Sequence, residues 1–349
     1  MDLAQPAPSQ PETRRAAPGP ATPGEPGDGN RRVEYPVTVA VCTYNRADRL
    51  PALVRALRRQ ICDTPFRLLF VDNNSSDGTA EVLQALRAEP GSRLDVVHEP
   101  EQGIVPARNR AVRESLASEY MLFMDDDELP LDGWIQAAVR AMRESGADCV
   151  GGRVIVRFEP GKRPAWLGDD LLGFLAQVDY GDSAFWIRDE SHPVWTANVA
   201  YRTSLFRDGL RFDARYSRVG NAIGGGEDVA MFRTLLAAGA RLRYAPDMVV
   251  EHHVEAWRLT RRYFLRLHFR SGYRHALYEM RPRSQSVLGV PSFLLGQALR
   301  QGGRFLERLL AGDPRMLRQA MNFTHACGMI AGCHARWRQA AKGASRAHR

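Results

Sequence analysis

The 349-residue chain contains few cysteines and no long apolar run, and each absence narrows what the protein can be. Its five cysteines are scattered and form no CxxC pair, which argues against a disulfide framework and for a reducing compartment. No apolar stretch approaches the roughly 18 to 20 residues of a membrane span. The N-terminus MDLAQPAPSQ has neither the basic start nor the apolar middle of a secretory signal, so we expect a cytoplasmic protein.

Two phosphate-binding motifs are also missing. The first apolar run, VTVAV (37–41), is followed by CTYNRADR, where a dinucleotide-binding fold would carry G-x-G-x-x-G. A nicotinamide-dependent oxidoreductase is therefore not expected. A nucleotidyltransferase that makes sugar nucleotides remains an alternative, but it would carry a glycine-rich, basic phosphate loop at the same place, and the chain has none there.

The net charge of +8 is concentrated at the C-terminal end. Residues 281–349 contain twelve Lys or Arg and two acids, so the preceding part is close to neutral. A role in nucleic-acid binding would rest on this tail alone. Its arginines lack the interleaved aromatic residues that stack on bases, and we expect no nucleic-acid partner.

Strand-like runs alternate with helical patterns through the first half of the chain. The strand-like runs are VTVAV (37–41), FRLLFV (66–71), LDVVH (94–98) and YMLFM (120–124). This alternation predicts right-handed β-α-β units and a mostly parallel sheet covered on both faces. The loops CTYNR, DNNSSDG and DDDE follow three of these runs, so they should meet at the carboxyl edge of the sheet, where ligands bind.

Composition divides the chain into three predicted parts. Residues 1–34 are rich in Pro, Gly and Ala and are predicted to be a disordered leader. Residues 35–280 form the main domain, with a nucleotide-binding half (35–130) and an acceptor and catalytic half (131–280). Within the second half, residues 160–190 show little periodicity and are predicted to be long loops that contact substrate. Residues 281–349 form a basic, amphipathic helical tail.

The stretch YMLFMDDDELP places four acids directly after a buried strand. Buried carboxylates need a neutralising cation. In an extended chain Asp125 and Asp127 would share one face while Asp126 points away, and two carboxylates suit Mg²⁺ or Mn²⁺. The alternative is a solvated acidic turn in which Asp132 caps the following helix.

Six pieces of the chain occur in the order typical of inverting family 2 glycosyltransferases, and residues 36–280 resemble that family. The pieces are VTVAVCTYNR, FVDNNSSDGT, EQGIVPARNRAV, YMLFMDDDELP, ANVAYR and GGGEDVAMF. The resemblance implies a GT-A fold, which is a Rossmann-like α/β fold with a mostly parallel sheet flanked by helices. Here a helical, basic C-terminal extension would follow it.

The resemblance also implies the residues that bind a nucleotide-sugar donor. They are Thr43, Tyr44, Asn45, Arg46, Asp72, Arg108, Asn109, Asp125, Asp126 and Asn198. The segment 43–46 would hold the nucleotide end, Asp72 would accept hydrogen bonds from the base, and Asn198 would line the donor sugar or acceptor side. Alternatives remain open, because Asp72 also suits a turn and a helical Arg108 also suits a surface ion pair.

By the same resemblance, Asp125 and Asp127 match the metal-binding DXD motif, and His252 and His253 match a place where relatives keep a histidine that reaches the metal. Only one of the two can face the site in an extended segment, and we expect His253. Asp228 matches the catalytic base and Glu227 a supporting or acceptor-binding group. The alternative for both is charge complementarity at a helix N-terminus, worth about 0.3–1 kcal/mol each.

Three tryptophans and the tail complete the predicted contacts. Trp166, Trp186 and Trp195 are assigned either to stacking on acceptor sugar rings or to the core. In residues 284–310, apolar residues accompany an arginine stripe formed by Arg300, Arg304 and Arg308. This pattern favours peripheral contact with the cytoplasmic face of the inner membrane. The alternative is an amphipathic helix packed on the domain or on a second subunit.

The sequence thus predicts a metal-dependent, inverting glycosyltransferase. It would transfer a sugar from a UDP-, GDP- or dTDP-sugar to a hydroxyl of a cell-envelope glycan, a glycolipid or a secondary metabolite, for example in polysaccharide biosynthesis. A non-catalytic scaffold of a polysaccharide assembly complex is the alternative from another class. That alternative predicts loss of the acids, yet Asp72, Asp125, Asp127, Glu227 and Asp228 are all present.

Overall fold

The computed structural model describes residues 34–220, 222–281 and 286–347, with side chains up to residue 341. Apart from Glu34, the predicted leader lies outside the described residues. The strands are β1 (Val37–Thr43), β2 (Phe66–Asp72), β3 (Leu94–His98), β4 (Tyr120–Asp125), β5 (Glu128–Pro130), β6 (Cys149–Arg157), β7 (Phe185–Ile187), β8 (Asn198–Arg202), β9 (Leu242–His253), β10 (Ser286–Val287) and β11 (Val290–Pro291). The α-helices are α1 (Leu50–Arg58), α2 (Thr79–Ala88), α3 (Ile104–Ser115), α4 (Trp134–Ser145), α5 (Ser204–Arg207), α6 (Glu227–Ala237), α7 (Arg261–Arg274), α8 (Ser292–Leu310) and α9 (Met316–Ala347).

Most of the described strands form one mixed sheet in the order β3-β2-β1-β4-β8-β6-β9-β5, with β7 also paired to β9. Strands β1 to β4 are mutually parallel, whereas β8 runs antiparallel between β4 and β6. This arrangement confirms the predicted α/β class with a largely parallel sheet. Thr43 is level with Asp72 on one side of β1, and Cys42 is level with Asp125 on the other, so three acidic or polar loops leave from one edge.

The core explains why the first four strands are readable as continuous apolar runs. Val39 and Val41 in β1, Leu69 in β2 and Phe123 in β4 are almost completely buried, because helices cover both faces of the sheet. Helix α1 contributes its Leu50, Leu53, Val54 and Leu57 stripe to the same core. Burial of these strands fixes their register and hence the positions of the loops at their carboxyl ends.

Strand β9 differs from the sequence prediction, which divided LRYA and MVVEHHV into two short strands. It is one strand of twelve residues. Its pairing with β6 jumps from Gly152↔Ala245 to Arg153↔Val249, which is a β-bulge around Pro246. Proline has no backbone N–H for the ladder, so the chain bulges there and then resumes pairing.

The predicted long loops of residues 160–190 also contain regular structure. Residues 169–175 form a 3-10 helix, and Leu171, Leu172 and Leu175 pack in a second small core with Phe264 of α7. Strand β7 follows at 185–187. Such short elements leave too few residues for a helical or strand period to show in the sequence.

A helical C-terminal region is confirmed, and glycines determine how it packs. A Cβ atom on Gly272 of α7 would lie 2.1 Å from the carbonyl oxygen of His325, and one on Gly328 of α9 would lie 2.1 Å from that of Phe269. The backbones of α7 and α9 therefore touch. Helix α8 packs against α9 more loosely and keeps much of its surface exposed. In the described part of the chain, no helix is long and apolar enough to cross a membrane.

Candidate active site

A cleft opens above the carboxyl ends of β1 and β4. Its walls come from the loop after β1, the acidic turn after β4, the glycine loop before α6, and the segment after β9. Lining residues include Thr43, Tyr44, Arg46, Asn73, Asp125, Asp126, Asp127, Arg218, Gly224, His252, Glu255, Trp257 and Arg258. Most of them are polar or charged, as expected for a site that binds a charged small molecule.

The three aspartates do not alternate as predicted, because β4 ends at Asp125 and the next two residues form a turn. All three line the cleft, and each faces a different arginine. Arg108 Nη2 lies 3.3 Å from Asp125 Oδ1, and Arg46 Nε lies 3.4 Å from Asp126 Oδ1. Arg258 Nη1 lies 3.5 Å from Asp127 Oδ2. The expectation that Asp126 points away from its neighbours is wrong.

The environment separates the pKa values of the neighbouring acids. Burial, with the adjacent charge of Asp127, raises the pKa of Asp126 to about 7. For Asp127 burial acts in the same direction, but the charge that His252 carries when protonated and the charges of Arg258 and Arg46 outweigh it and lower its pKa. The two neighbouring carboxyl groups therefore differ in how readily they ionise.

The structure places His252, and not His253, in the cleft. The His252 ring is buried, with Nε2 3.7 Å from Asp127 Oδ2 and 3.0 Å from Arg258 Nη1. His253 is half exposed on the other face of β9, beside Glu251. The choice of His253 was wrong because β9 buries alternate residues, and His252 is on the buried face. The charged Glu251, two residues before His253, could have indicated that the face of His253 is the more exposed one. Burial lowers the pKa of His252, which favours the neutral ring.

Arg108 connects the acids of β4 with those of α6. It extends from α3 and is almost fully buried. Its Nη1 lies 2.5 Å from Glu227 Oε1, while Nη2 reaches Asp125. Glu227 also accepts a hydrogen bond from the Gly226 N–H at 2.8 Å. Arg108 thereby pairs with Glu227 across 119 positions of sequence and holds Asp125 on the same guanidinium group.

The glycine loop before α6 brings Asp228 to this group. Gly224 and Gly226 have φ of +97° and +132°, which other residues rarely adopt. A Cβ atom on Gly224 would lie 2.4 Å from Arg274 Nη1, so any other residue at this position would displace the end of the Arg274 side chain. Burial, with the charge of Glu227, raises the pKa of Asp228 to about 6.

Asn198 does not line the cleft, contrary to prediction. Its side chain is buried and accepts a hydrogen bond from Trp134 Nε1 at 2.8 Å. It donates to the carbonyl oxygens of Arg153 and Met248, both at 2.8 Å. Its hydrogen-bonding groups are thus used within the fold, where they fasten β8 to the bulged part of β6 and β9.

Two further asparagines, Asn45 and Asn109, were predicted to bind the donor, but they do not line the cleft and instead hold neighbouring loops together. Asn109 exchanges two hydrogen bonds with the backbone of Phe212, at 3.0 and 2.9 Å. Asn45 has a φ of +53°, and its Oδ1 accepts from the Ser76 N–H at 2.8 Å. These contacts tie neighbouring loops together. The side chains are therefore committed to the protein, although the prediction assigned them to the donor.

Asp72 lies at the end of β2, where it was expected, with little exposure. Its Oδ1 accepts from the Ser75 N–H at 3.2 Å, and Oδ2 lies 3.5 Å from His98 Nδ1. The turn contact of Asp72 is therefore present, while Asp72 itself is not part of the cleft wall. Its neighbour Asn73 lines the cleft.

The segment after β9 was missed at the sequence level. Glu255 accepts hydrogen bonds from Arg46 Nη1 at 2.9 Å and Arg49 Nη2 at 3.2 Å, and from Trp257 Nε1 at 2.7 Å. It thereby links this segment to the loop after β1. Trp257 lines the cleft, whereas the three tryptophans considered earlier do not appear in its wall. A charged and aromatic cluster, VEAWR, directly after a strand end was the available signal.

Residues 38–210 match the model of glycosyl transferase family 2. The chain carries a family 2 glycosyltransferase domain. Succinoglycan biosynthesis protein ExoM of Rhizobium meliloti is 25% identical over 68% of this chain and 74% of its own. Glycosyltransferase AglE of Haloferax volcanii is 26% identical over 62% of this chain and 66% of its own.

A solved structure supports the fold. The mannosyltransferase PcManGT from Pyrobaculum calidifontis, in complex with GDP-Man and Mn²⁺, matches with a TM-score of 0.51 and 20% identity, over 93% of this chain and 85% of its own. The predicted family, the GT-A fold and the glycosyltransferase activity are confirmed. In the portion of this glycosyltransferase that the structure describes, no three His, Cys, Asp or Glu side chains form a ready-made metal site.

Proposed function

We propose that this glycosyltransferase is metal-dependent and inverting, and that it moves a sugar from a nucleotide-sugar donor to an acceptor hydroxyl. The observation that supports the proposal best is the ion-pair chain from Asp125 through Arg108 to Glu227. It joins the acids after β4 to the acids at the start of α6. The groups proposed to bind the donor and the group proposed to accept the proton are therefore close enough to act on one donor and one acceptor.

The donor would lie along the loops after β1 and β2. Thr43 and Tyr44 line the part of the cleft assigned to the nucleotide, and Asp72 and Asn73 close the neighbouring loop. Arg46 reaches toward Asp126, where its guanidinium could contact a diphosphate as well. UDP-, GDP- and dTDP-sugars are the candidate donors.

The residues present fit a divalent cation. Asp125 and Asp127 supply hard oxygen ligands, and the neutral ring of His252 lies next to Asp127. Mg²⁺ and Mn²⁺ need few protein ligands when phosphates and waters complete the shell, which agrees with a cleft that has no ready-made cluster among its described residues. When bound, such an ion stabilises the negative charge on the departing diphosphate.

Asp228 would act as the base. Its carboxylate takes the proton of the acceptor hydroxyl while the acceptor oxygen forms a bond to the anomeric carbon. The bond between that carbon and the diphosphate oxygen breaks, its electron pair leaves with the nucleoside diphosphate, and attack from the opposite face inverts the configuration. A pKa of about 6 leaves Asp228 ionised and still basic near neutral pH. Glu227, held by Arg108 and the Gly226 N–H, would position the loop.

The acceptor is proposed to be a cell-envelope glycan, a glycolipid or a secondary metabolite. The name of the Rhizobium meliloti relative refers to succinoglycan biosynthesis, which supports a role in polysaccharide biosynthesis. These classes share one requirement, a hydroxyl that enters the cleft beside Asp228.

Helix α8 is proposed to contact the cytoplasmic face of the membrane. Leu295, Leu299, Leu306 and Leu310 form an exposed leucine ridge, with exposed fractions of 44%, 78%, 53% and 79%. The predicted stripe of Arg300, Arg304 and Arg308 lies along the same helix. At about 100° per residue these arginines lie on a different side of the helix from the leucine ridge, so the ridge carries the proposed contact with lipid.

Sedimentation with vesicles of phosphatidylcholine and phosphatidylglycerol tests this contact. We expect Leu299→Gln/Leu306→Gln to lose binding, and Ile61→Gln, which changes an 82% exposed residue of the catalytic domain, to retain it. Equal binding by both variants would contradict the proposal. A loss of dimer, with unchanged vesicle binding, would assign the ridge to a second copy of the chain.

Turnover of a donor panel tests the enzymatic proposal. UDP-, GDP- and dTDP-sugars are incubated with Mn²⁺, Mg²⁺ or EDTA, and the first sugar released to water is followed by NMR. We expect one nucleotide class to be hydrolysed only with metal, with inverted configuration, and Asp127→Asn to be slower by about 10²-fold or more. Asp247→Asn, which changes an exposed surface acid, is the control. Retained configuration, or the absence of any metal-dependent turnover by folded protein, would contradict the proposal.

A further inference from the structure

Helix α7 carries a row of arginines that ends beside the candidate base. Arg262, Arg266, Arg270 and Arg274 follow one another at four-residue spacing. Four residues turn a helix by about 40° beyond one full rotation, and twelve residues extend it by about 18 Å. The row therefore winds from the exposed side of α7 at Arg262, Arg266 and Arg270 to the half-buried Arg274. We call these four residues the arginine row.

Within the described parts of the chain, no carboxylate lies within ion-pair distance of any member of the row, although such pairs are common elsewhere. Like charges four residues apart on a helix destabilise it. The row thus concentrates repelling charges that no ion pair in the described structure neutralises. A binding role would account for this arrangement, since arginine is suited to bidentate recognition of phosphate.

The inner end of the row lies against a residue of the cleft wall. The Arg274 guanidinium lies against Gly224, which lines the cleft. Arg218, also in the cleft wall, comes from a loop whose position is fixed by a 3.0 Å hydrogen bond from the Ile104 N–H to the Arg218 carbonyl oxygen.

Arg274 also lies close to the two acids of α6, since its Nε is 4.0 Å from the position that a Cβ atom on Gly226 would take. Burial lowers the pKa of Arg274, and the positive charges of Arg270 and Arg218 lower it further, against the opposing charges of Glu227 and Asp228. Arg274, with Arg270 one turn earlier on α7 and Arg218 in the cleft wall, therefore brings positive charge toward the start of α6, where Asp228 lies. The acids assigned to the donor diphosphate are paired with other arginines, namely Arg46, Arg108 and Arg258.

We propose that the acceptor carries a phosphate group, and that Arg218, Arg270 and Arg274 bind this phosphate while Asp228 meets the adjacent hydroxyl. Arg262 and Arg266 extend the positive surface outward along the path of entry. The inference rests on the proposed function, because it names the acceptor class of the same site. The phosphate could belong to a carrier lipid or to a soluble phosphorylated glycan, which share the chemistry that the arginines recognise.

Binding of hexyl phosphate to the full-length protein in EDTA tests the phosphate site, with hexanol as the uncharged probe. EDTA removes divalent ions, so the acids of the cleft have no metal through which to hold the probe. We expect Arg270→Gln/Arg274→Gln to weaken hexyl phosphate binding by about tenfold or more, since charge-assisted bidentate contacts are lost. Binding by the wild type should also weaken as salt is raised.

The control is Arg55→Gln/Arg59→Gln, which removes two exposed arginines at the same spacing on and just after α1, neither of them in an ion pair in the described structure. It should leave affinity unchanged within about twofold, the scatter expected of a surface substitution. Arg270→Lys/Arg274→Lys should recover part of the affinity, because charge returns without the planar fork. A purely structural role would not show this recovery, and equal affinity of the glutamine variants and the control would overturn the inference.

Vesicles separate the phosphate of an acceptor from the headgroups of a membrane. If Arg262→Gln/Arg266→Gln loses binding to phosphatidylglycerol vesicles while Arg270→Gln/Arg274→Gln still binds hexyl phosphate normally, the row reads the membrane surface and the acceptor inference is overturned. Wild-type donor hydrolysis is scored separately. Metal-dependent hydrolysis without hexyl phosphate binding would leave the proposed transferase in place and remove only its phosphorylated acceptor.

Discussion

The acidic cleft and the arginine row differ in how their charges are compensated. Each aspartate from Asp125 to Asp127 has an arginine within 3.3 to 3.5 Å, although burial would otherwise penalise it. The row on α7 has no such partner among the described residues. Paired charges of the first kind hold a site in shape before substrate arrives, whereas unpaired charges of the second kind favour an anion from outside.

This difference also separates two tasks that one transferase must combine. A donor diphosphate is highly charged, and its site must bind it and then release it, so exchange of ion-pair partners is useful there. An acceptor needs orientation, and a rigid helix with a fixed row of cations can supply it.

Asp228→Asn should reduce turnover by about 10² to 10⁴-fold, because the amide cannot take the proton of the acceptor. Donor affinity should stay near that of the wild type. Steady-state kinetics with the active donor, together with direct donor binding, separates the two quantities. A variant that loses donor affinity and turnover equally would place Asp228 in donor binding and not in proton transfer.

Arg108→Met should lower the free energy of unfolding by about 3 to 5 kcal/mol, because it leaves Glu227 and Asp125 without their shared buried cation. Urea titration measures this loss. Arg140→Met, which removes a largely exposed partner of Asp247, should change stability by less than about 1 kcal/mol. Similar losses in both variants would mean that the buried chain is no more important to the fold than a surface pair.

Asp126→Asn should stabilise the metal-free protein at neutral and higher pH. The folded-state pKa of Asp126 is raised to about 7, so the folded wild type binds this proton more tightly than the unfolded chain does. Wild-type stability therefore falls as pH rises from about 4 to 7, and the variant should gain on the order of 2–4 kcal/mol above that range.

Urea titrations of Asp126→Asn at several pH values in EDTA provide the measurement. Near pH 3 the gain should vanish, because the carboxyl is then protonated in both states. Asp132→Asn, an exposed acid in the next turn, is the matched control. A gain that is independent of pH would show that ionisation of Asp126 is not its cause.

Arg262→Gln/Arg266→Gln should change stability least, with a gain of at most about 0.5 kcal/mol, because a repulsive i,i+4 pair is removed and no ion pair is lost. Thermal unfolding at low and high salt measures this effect, which should shrink as salt screens the repulsion. A clear loss of stability would reveal a partner for these arginines and weaken the comparison.

The fold was predictable where strands or helices are buried on one whole face or on both, because such burial leaves a clear pattern of apolar residues in the sequence. Strands β1 to β4 are continuous apolar runs because both sheet faces are covered, and the loops after them meet at one edge by topology alone. The gathering of Asp125, Arg108 and Glu227 could not be derived from the residues alone, since it depends on contacts across 119 positions of sequence. Only the resemblance to a family placed these residues in one site.

The errors in the site have local physical causes. Asp126 follows the end of β4, so strand alternation no longer applies to it. Asn198 looks like a ligand in sequence, but its partners are backbone oxygens exposed by the bulge around Pro246 and the indole of Trp134. A bulge leaves backbone oxygens without a partner in the neighbouring strand, and the hydrophobic pattern of the sequence does not indicate where this happens.

The proposed function requires the acids after β4 to bind a donor diphosphate together with a divalent ion. Calorimetric titration of the nucleoside diphosphate from the active donor, with Mn²⁺ and with EDTA, tests it most directly on the wild type, Asp127→Asn and Asp247→Asn. We expect tight binding only with Mn²⁺, retained in Asp247→Asn and weakened by about tenfold or more in Asp127→Asn. Equal nucleotide affinity with and without metal, or in both variants, would contradict it.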